Sequence, residues 1–143
     1  MPDHLTQRTR RVMVLAKDIA LRHGLSDIAD LVVLIAVMEE GGGIAATLLQ
    51  TLGVELAPLY QHLPKVQADL RIADVARPLP VSPECERILQ TAEGVAAEQN
   101  TPQVGTEHVL LAMVRTPQSQ AAALLAERGV TEAALREAAS QHA

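Results

Sequence analysis

Displaced by 76 positions, the sequence matches itself. Leu5–Leu59 lies over Val81–Leu135 without a gap, and 14 of the 55 pairs are identical. The identities are Arg11/Arg87, Ala16/Ala92, Ala20/Ala96, Val33/Val109, Leu34/Leu110, Ala36/Ala112, Ala45/Ala121, Ala46/Ala122, Leu48/Leu124, Leu49/Leu125, Gly53/Gly129, Val54/Val130, Ala57/Ala133 and Leu59/Leu135. Most are small or aliphatic, and AATLLQTLGV in the first copy answers AAALLAERGV in the second. A period of this kind has to be found before any motif is weighed, because it sets the architecture: one structural unit, made twice.

Each copy breaks at the same places. Val12, Leu15, Ala16, Ile19 and Ala20, answered by Ile88, Ala92, Val95 and Ala96, have helical spacing with one apolar face. After a polar break come Leu31–Met38 and Val109–Val114, apolar on every side and too short to span a membrane, which predicts the central helix of each copy. Gly41-Gly42-Gly43 and Thr116-Pro117 are expected to end those helices. A third helix is expected over Ala45–Leu52 and Ala121–Arg128, stopping at Gly53 and Gly129, residues suited to the left-handed conformation of a helix end. A short fourth helix should end near Leu63 or Ala139. Pro64, Pro78 and Pro80 mark a surface connector with some helix in it. The expected organisation is a single all-α domain over 1–143. Repeat one covers 5–63, the connector 64–80 and repeat two 81–139, and the two four-helix repeats pack as a pseudo-twofold pair of about eight helices.

Composition supports helices and narrows function. Apolar residues make up 48% of the chain, but the aromatics reduce to Tyr60, with no Phe or Trp, so the core must be aliphatic. At 143 residues one domain would bury roughly 70% of the surface of its unfolded chain, so no metal or disulfide staple is needed. Twelve basic residues against seventeen acidic ones give a net charge of −5, without a long Lys/Arg cluster. Nucleic acid is not an expected partner, since the residues for phosphate neutralisation and base stacking are missing. Cys85 is the sole cysteine, so no internal disulfide can form and a reducing compartment is the default. Met1-Pro2-Asp3-His4 does not read as a signal peptide, and a soluble cytoplasmic protein without a membrane partner is expected.

The stretch VGTEHVLLAMV over 104–114 sets Glu107 and His108 against an apolar wall. An acid/base pair, half a metal site and a helix start all fit that arrangement. Gly105 allows a turn, Thr106 is a favoured N-cap, and Glu107 stands where the helix dipole favours negative charge, so helix-start chemistry is the main expectation. None of His4, His23, His62, His108 and His142 belongs to a His-Glu-x-x-His motif, and no metal is expected. Ser26 and Ser119 lack a G-x-S-x-G context, no glycine-rich stretch ends in Gly-Lys-Ser/Thr, and Cys85 reads as a buried or half-buried thiol. No catalytic residue, cofactor or nucleotide is expected.

The duplication, GTEHVLLAMV and LLAERGV together resemble the Clp N-terminal domain, the double-repeat helical module at the front of Clp-type AAA+ unfoldases. The resemblance covers Leu5–Leu135, with LTQRTRRVMVLAKDIA and VSPECERILQTAEGVA as the two opening helices. It implies a docking domain for adaptors, substrates and regulators, carried by an unfoldase that feeds a proteolytic chamber. Where the family usually opens its repeats with Phe, this chain has Leu5 and Val81, so any groove built on those rings is altered. In part of the family a Glu in each copy helps receive phosphorylated arginine. Here Ala29-Asp30-Leu31-Val32 replaces the first Gly-Thr-Glu-His, and only Glu107 remains of the pair.

The leading expectation is thus a non-catalytic protein-binding module of the Clp system, with Leu5, Val81, Thr106 and Glu107 as candidate contact residues. The alternative is a free-standing structural or regulatory helical domain that associates with the protease core or with itself; the expected partners are proteins, namely Clp adaptors, substrates, and unfoldase or protease subunits. An enzyme ranks third, because no nucleophile–base or metal constellation appears.

Overall fold

The computed structural model describes residues 4–65 and 76–141, and over these it is all-helical, with eight named helices. Repeat one supplies α1 (Gln7–Arg22), α2 (Asp30–Glu40), α3 (Ile44–Thr51) and α4 (Leu56–Tyr60). Repeat two supplies α5 (Pro83–Glu98), α6 (Thr106–Val114), α7 (Gln120–Glu127) and α8 (Glu132–Gln141). Most of the expected connector, from 66 to 75, lies outside the described residues.

The local reasons repeat with the sequence. The Thr6 hydroxyl accepts from the Thr9 N–H at 3.1 Å to open α1, and the Ser82 hydroxyl accepts from the Cys85 N–H at 3.1 Å to open α5, with Pro83 in the first turn. In α2 every residue from Asp30 to Val37 is buried, as its unbroken apolar character requires. Gly41, at φ 73°, ends that helix, and the chain turns through 90° into α3. Gly53 (φ 79°) and Gly129 (φ 76°) close α3 and α7 in the left-handed region, where a side chain would be strained. The fourth helices depart from expectation. α4 stops at Tyr60, with His62 and Leu63 donating to the carbonyls of Leu59 and Tyr60 in a final turn before Pro64, while α8 continues to Gln141.

The two repeats are fastened crosswise. Residues 4–6 run parallel to Val104, with Thr6 N–H donating to the Val104 carbonyl at 3.0 Å and Val104 N–H to the His4 carbonyl. Seventy-six positions on, Ser82 N–H donates to the Ile28 carbonyl at 2.9 Å, and Ile28 N–H to the Pro80 carbonyl at 2.8 Å. Each copy thereby lends its opening residues to the loop that precedes the other copy's second helix. The helices follow the same exchange: α2 packs on α7 as α6 packs on α3, and α2 meets α6 at the centre. There Leu34, Ile35, Leu49, Leu110, Met113 and Leu125 form the buried aliphatic core.

Candidate protein-docking site

A surface depression runs along the outer face of α1. It has a volume of about 820 Å³, and its apolar lining includes Leu5, Met13, Val14, Leu21, Leu79 and Val81. Leu5 is almost fully buried in the floor and Val81 is half-buried beside it, so the crosswise pairing of chain segments builds the groove. Val14 is 71% exposed and extends the apolar lining of the depression to the surface. The rim carries Arg10, Arg11 and Lys17 with one carboxylate, Asp18, which pairs with Arg22 at 3.0 Å.

Of the four candidate residues, Leu5 and Val81 come together in this groove; Thr106 and Glu107 are not part of its lining. Thr106 needs a correction. Gly105, not Thr106, is the N-cap of α6, and Thr106 is its first helical residue, only 4% exposed. Its hydroxyl accepts across the repeat boundary from Ala45 N–H in the first turn of α3, at a long 3.4 Å. The matching residue of repeat one does the reciprocal work: the Asp30 carboxylate accepts from Ala121 N–H of α7 at 2.7 Å. Gly43 leaves room for this seam, since a Cβ there would lie 2.7 Å from the Thr106 hydroxyl and 2.9 Å from Arg8 Cδ.

His108, in the first turn of α6, reaches back to the cap residue. Gly105 N–H donates to His108 Nδ1 at 2.8 Å, which leaves Nε2 as the protonated nitrogen, donating to Gln99 Oε1 at 3.0 Å. Glu107 is half-buried and folds back against Gly105. The pair at 107–108 therefore starts a helix. Cys85 is buried in α5, and burial, reinforced by Asp30, pushes its thiol up to about 12, so at neutral pH it stays protonated and weakly nucleophilic.

Val14 and the Pro78–Leu79 wall were not singled out from sequence. In MVLA, Val14 is one apolar residue among several, and only the helix phase distinguishes it from Val12 and Met13. Asp30 and its seam with α7 were also missed, since a lone carboxylate before an apolar run reads as an ordinary helix start.

The Clp repeat (R) N-terminal domain model matches residues 4–128 and, in a second register, 81–143, as a duplicated chain should. The chain is 29% identical over 126 residues to the chaperone protein ClpB of Oceanobacillus iheyensis, covering 88% of this chain and 15% of that protein. It is equally similar, over the same shares, to the negative regulator of genetic competence ClpC/MecB of Bacillus subtilis. It thus spans about 15% of the length of these curated relatives. In fold it is similar to the N-terminal domain of the caseinolytic protease associated chaperone ClpD from Arabidopsis thaliana, with a TM-score of 0.73, 15% identity, and coverage of 98% of this chain and 97% of that one. The chain belongs to the Clp repeat N-terminal domain family.

Proposed function

We propose that this chain is a non-catalytic docking module of a cytoplasmic Clp-type chaperone or protease system, receiving adaptors or substrates in the groove along α1. The observation that carries this reading is the contiguous apolar trough itself, open to solvent at Val14, with a floor made jointly by the two repeats. Exposed apolar surface of this kind marks a binding site. Leu5 and Val81 contribute its floor, while Thr106 and Glu107 serve the seam and the start of α6. The domain division over 5–63 and 81–139 belongs to the same reading: the groove exists only when both copies are present.

A fluorescein-labelled peptide with leucines at helical spacing and glutamines between them tests the groove by fluorescence anisotropy. Val14→Gln, which installs the residue found at the matching Gln90, should weaken binding by roughly tenfold and leave the melting curve in place. Unchanged affinity would remove the groove from the proposal.

A further inference from the structure

Val81 is bridged to Ile28 through its neighbours. Ile28 N–H donates to the Pro80 carbonyl at 2.8 Å and Ser82 N–H to the Ile28 carbonyl at 2.9 Å, so residues 80 and 82 make both bonds. Backbone groups alternate sides along an extended chain, which points the Val81 N–H and carbonyl away from Ile28. Leu79, held extended because Pro80 follows it, shares that orientation. Neither Leu79 nor Val81 makes a backbone hydrogen bond among the described residues. Pro78 and Pro80 do not blunt this edge: their missing N–H groups belong to the side facing Ile28, so both outward donors are kept.

The matching segment of repeat one is closed. Val104 pairs with His4 and Thr6 on either side of Leu5 in the same pattern, yet Leu5 is only 3% exposed, whereas Leu79 and Val81 are half-buried. Both of these half-buried residues line the trough along α1. A reachable main-chain edge and an apolar trough thus lie side by side.

Resting on the docking reading, we propose that the trough receives its partner as an added strand. An extended peptide segment bonds to the main chain of Leu79 and Val81 and turns every second side chain, apolar, toward Met13, Val14 and Leu21. In such an arrangement main-chain bonds give affinity and the pockets for alternate side chains give selectivity. The residue opposite Val81 carries its side chain on the same face of the ladder as Val81 itself, and Val81 lines the trough. The added strand also continues the pairing that already joins the two repeats at Ile28. α1 lines the trough from Arg10 to Leu21, about 16 Å at roughly 1.5 Å per residue, which matches about five extended residues. A second copy of this chain fits less well, because its own Leu79 and Val81 are already half-buried in its own trough.

The test uses two fluorescein-labelled peptides of the same leucine and glutamine composition, one with leucine at every second position and one with leucines at helical spacing. In fluorescence anisotropy the alternating peptide should bind the more tightly. Methylating its backbone nitrogens one at a time should weaken binding roughly three- to tenfold at every second position and little in between, because only alternate N–H groups face the edge. Val81→Pro removes an outward donor while Pro80 and Ser82 keep their bonds to Ile28, and should weaken the alternating peptide by a similar factor. The methylation pattern is read on the parent chain, so it stands whether or not that variant folds. Tighter binding of the helically spaced peptide, or methylation losses at every internal position or at none, would overturn strand addition; Val14→Gln still weakening the bound peptide would leave the docking reading standing. No binding of either peptide would overturn the docking reading itself, and strand addition with it. A concentration-dependent dimer of the parent, dissociated by Val81→Pro, would overturn the proposal in favour of a second copy.

Discussion

At the seam the two repeats are near copies of each other; on their outer faces they are not. Each lends its opening residues to the loop before the other's second helix, and each sets a short polar side chain, Asp30 or Thr106, against the first turn of the other's third helix. Along α1 and α5 the same displacement instead turns apolar into polar and basic into acidic. Interdigitated contacts constrain two copies at once, since a side chain at the seam packs against its own repeat and the other. An outward helix face answers only to solvent and to whatever docks there. The divergence is therefore where a binding preference can be built without disturbing the fold.

The largest test of the shared part lies in the central helices. Leu34 and its match Leu110 are both essentially inaccessible to solvent. Leu34→Ala and Leu110→Ala should each lower stability by about 2–5 kcal/mol in urea melts. The two values should be similar if the pseudo-symmetry extends to energetics. A loss below about 1 kcal/mol at either position would break the equivalence.

The seam should respond less, and unequally. Asp30 makes a short, charge-assisted bond, and Asp30→Ala would leave Ala121 N–H without its partner inside the protein, at a cost of about 1.5–3 kcal/mol. Thr106→Ala removes a neutral bond of 3.4 Å and should cost about 0.5–1 kcal/mol. Equal losses in chemical melts would mean that the asymmetry of the two distances has no energetic weight.

What could be read from sequence was set by periodicity. The duplication, the all-helical class and the core leucines follow from apolar spacing, which burial enforces directly. Thr106 shows the limit. Local rules make it a cap for the helix it begins, but Gly105 holds the cap position, and the threonine hydroxyl turns to a helix 61 residues away. No local pattern distinguishes those outcomes, because the competing partner arrives only when the two copies interlock. Val14 was hidden for a different reason: helix phase already sets it off the face of Val12, Leu15, Ala16, Ile19 and Ala20, and a single apolar residue on an outer face is ordinary until the trough around it is formed. The length of α4 was misjudged because the final turn before Pro64 reads as helix in sequence although the helix itself ends at Tyr60.

The smallest expected effect separates the two repeats by acid. In repeat one, Tyr60 donates to Glu39 at 2.7 Å, joining the end of α2 to the end of α4, and burial together with Glu39 holds the Tyr60 hydroxyl protonated well above its ordinary range. At the matching place in repeat two, Arg115 and Arg136 stand where Glu39 and Tyr60 do, and both grip Glu132. The Arg115 guanidinium, then Arg136, lowers the Glu132 carboxyl from 4.5 to about 2. A carboxylate with a depressed folded value adds stability above its unfolded value and loses it as pH falls toward the folded one. The contribution of Glu132 should thus be complete at neutral pH and disappear between about 4.5 and about 2. Glu132 is partly open to solvent, so screening keeps the effect below about 1 kcal/mol. In urea melts, Glu132→Gln should be slightly less stable than the parent at pH 7 and indistinguishable from it near the lower limit of that window. A gap between the two proteins that stays constant with pH would show that the ion pair does not distinguish repeat two from repeat one.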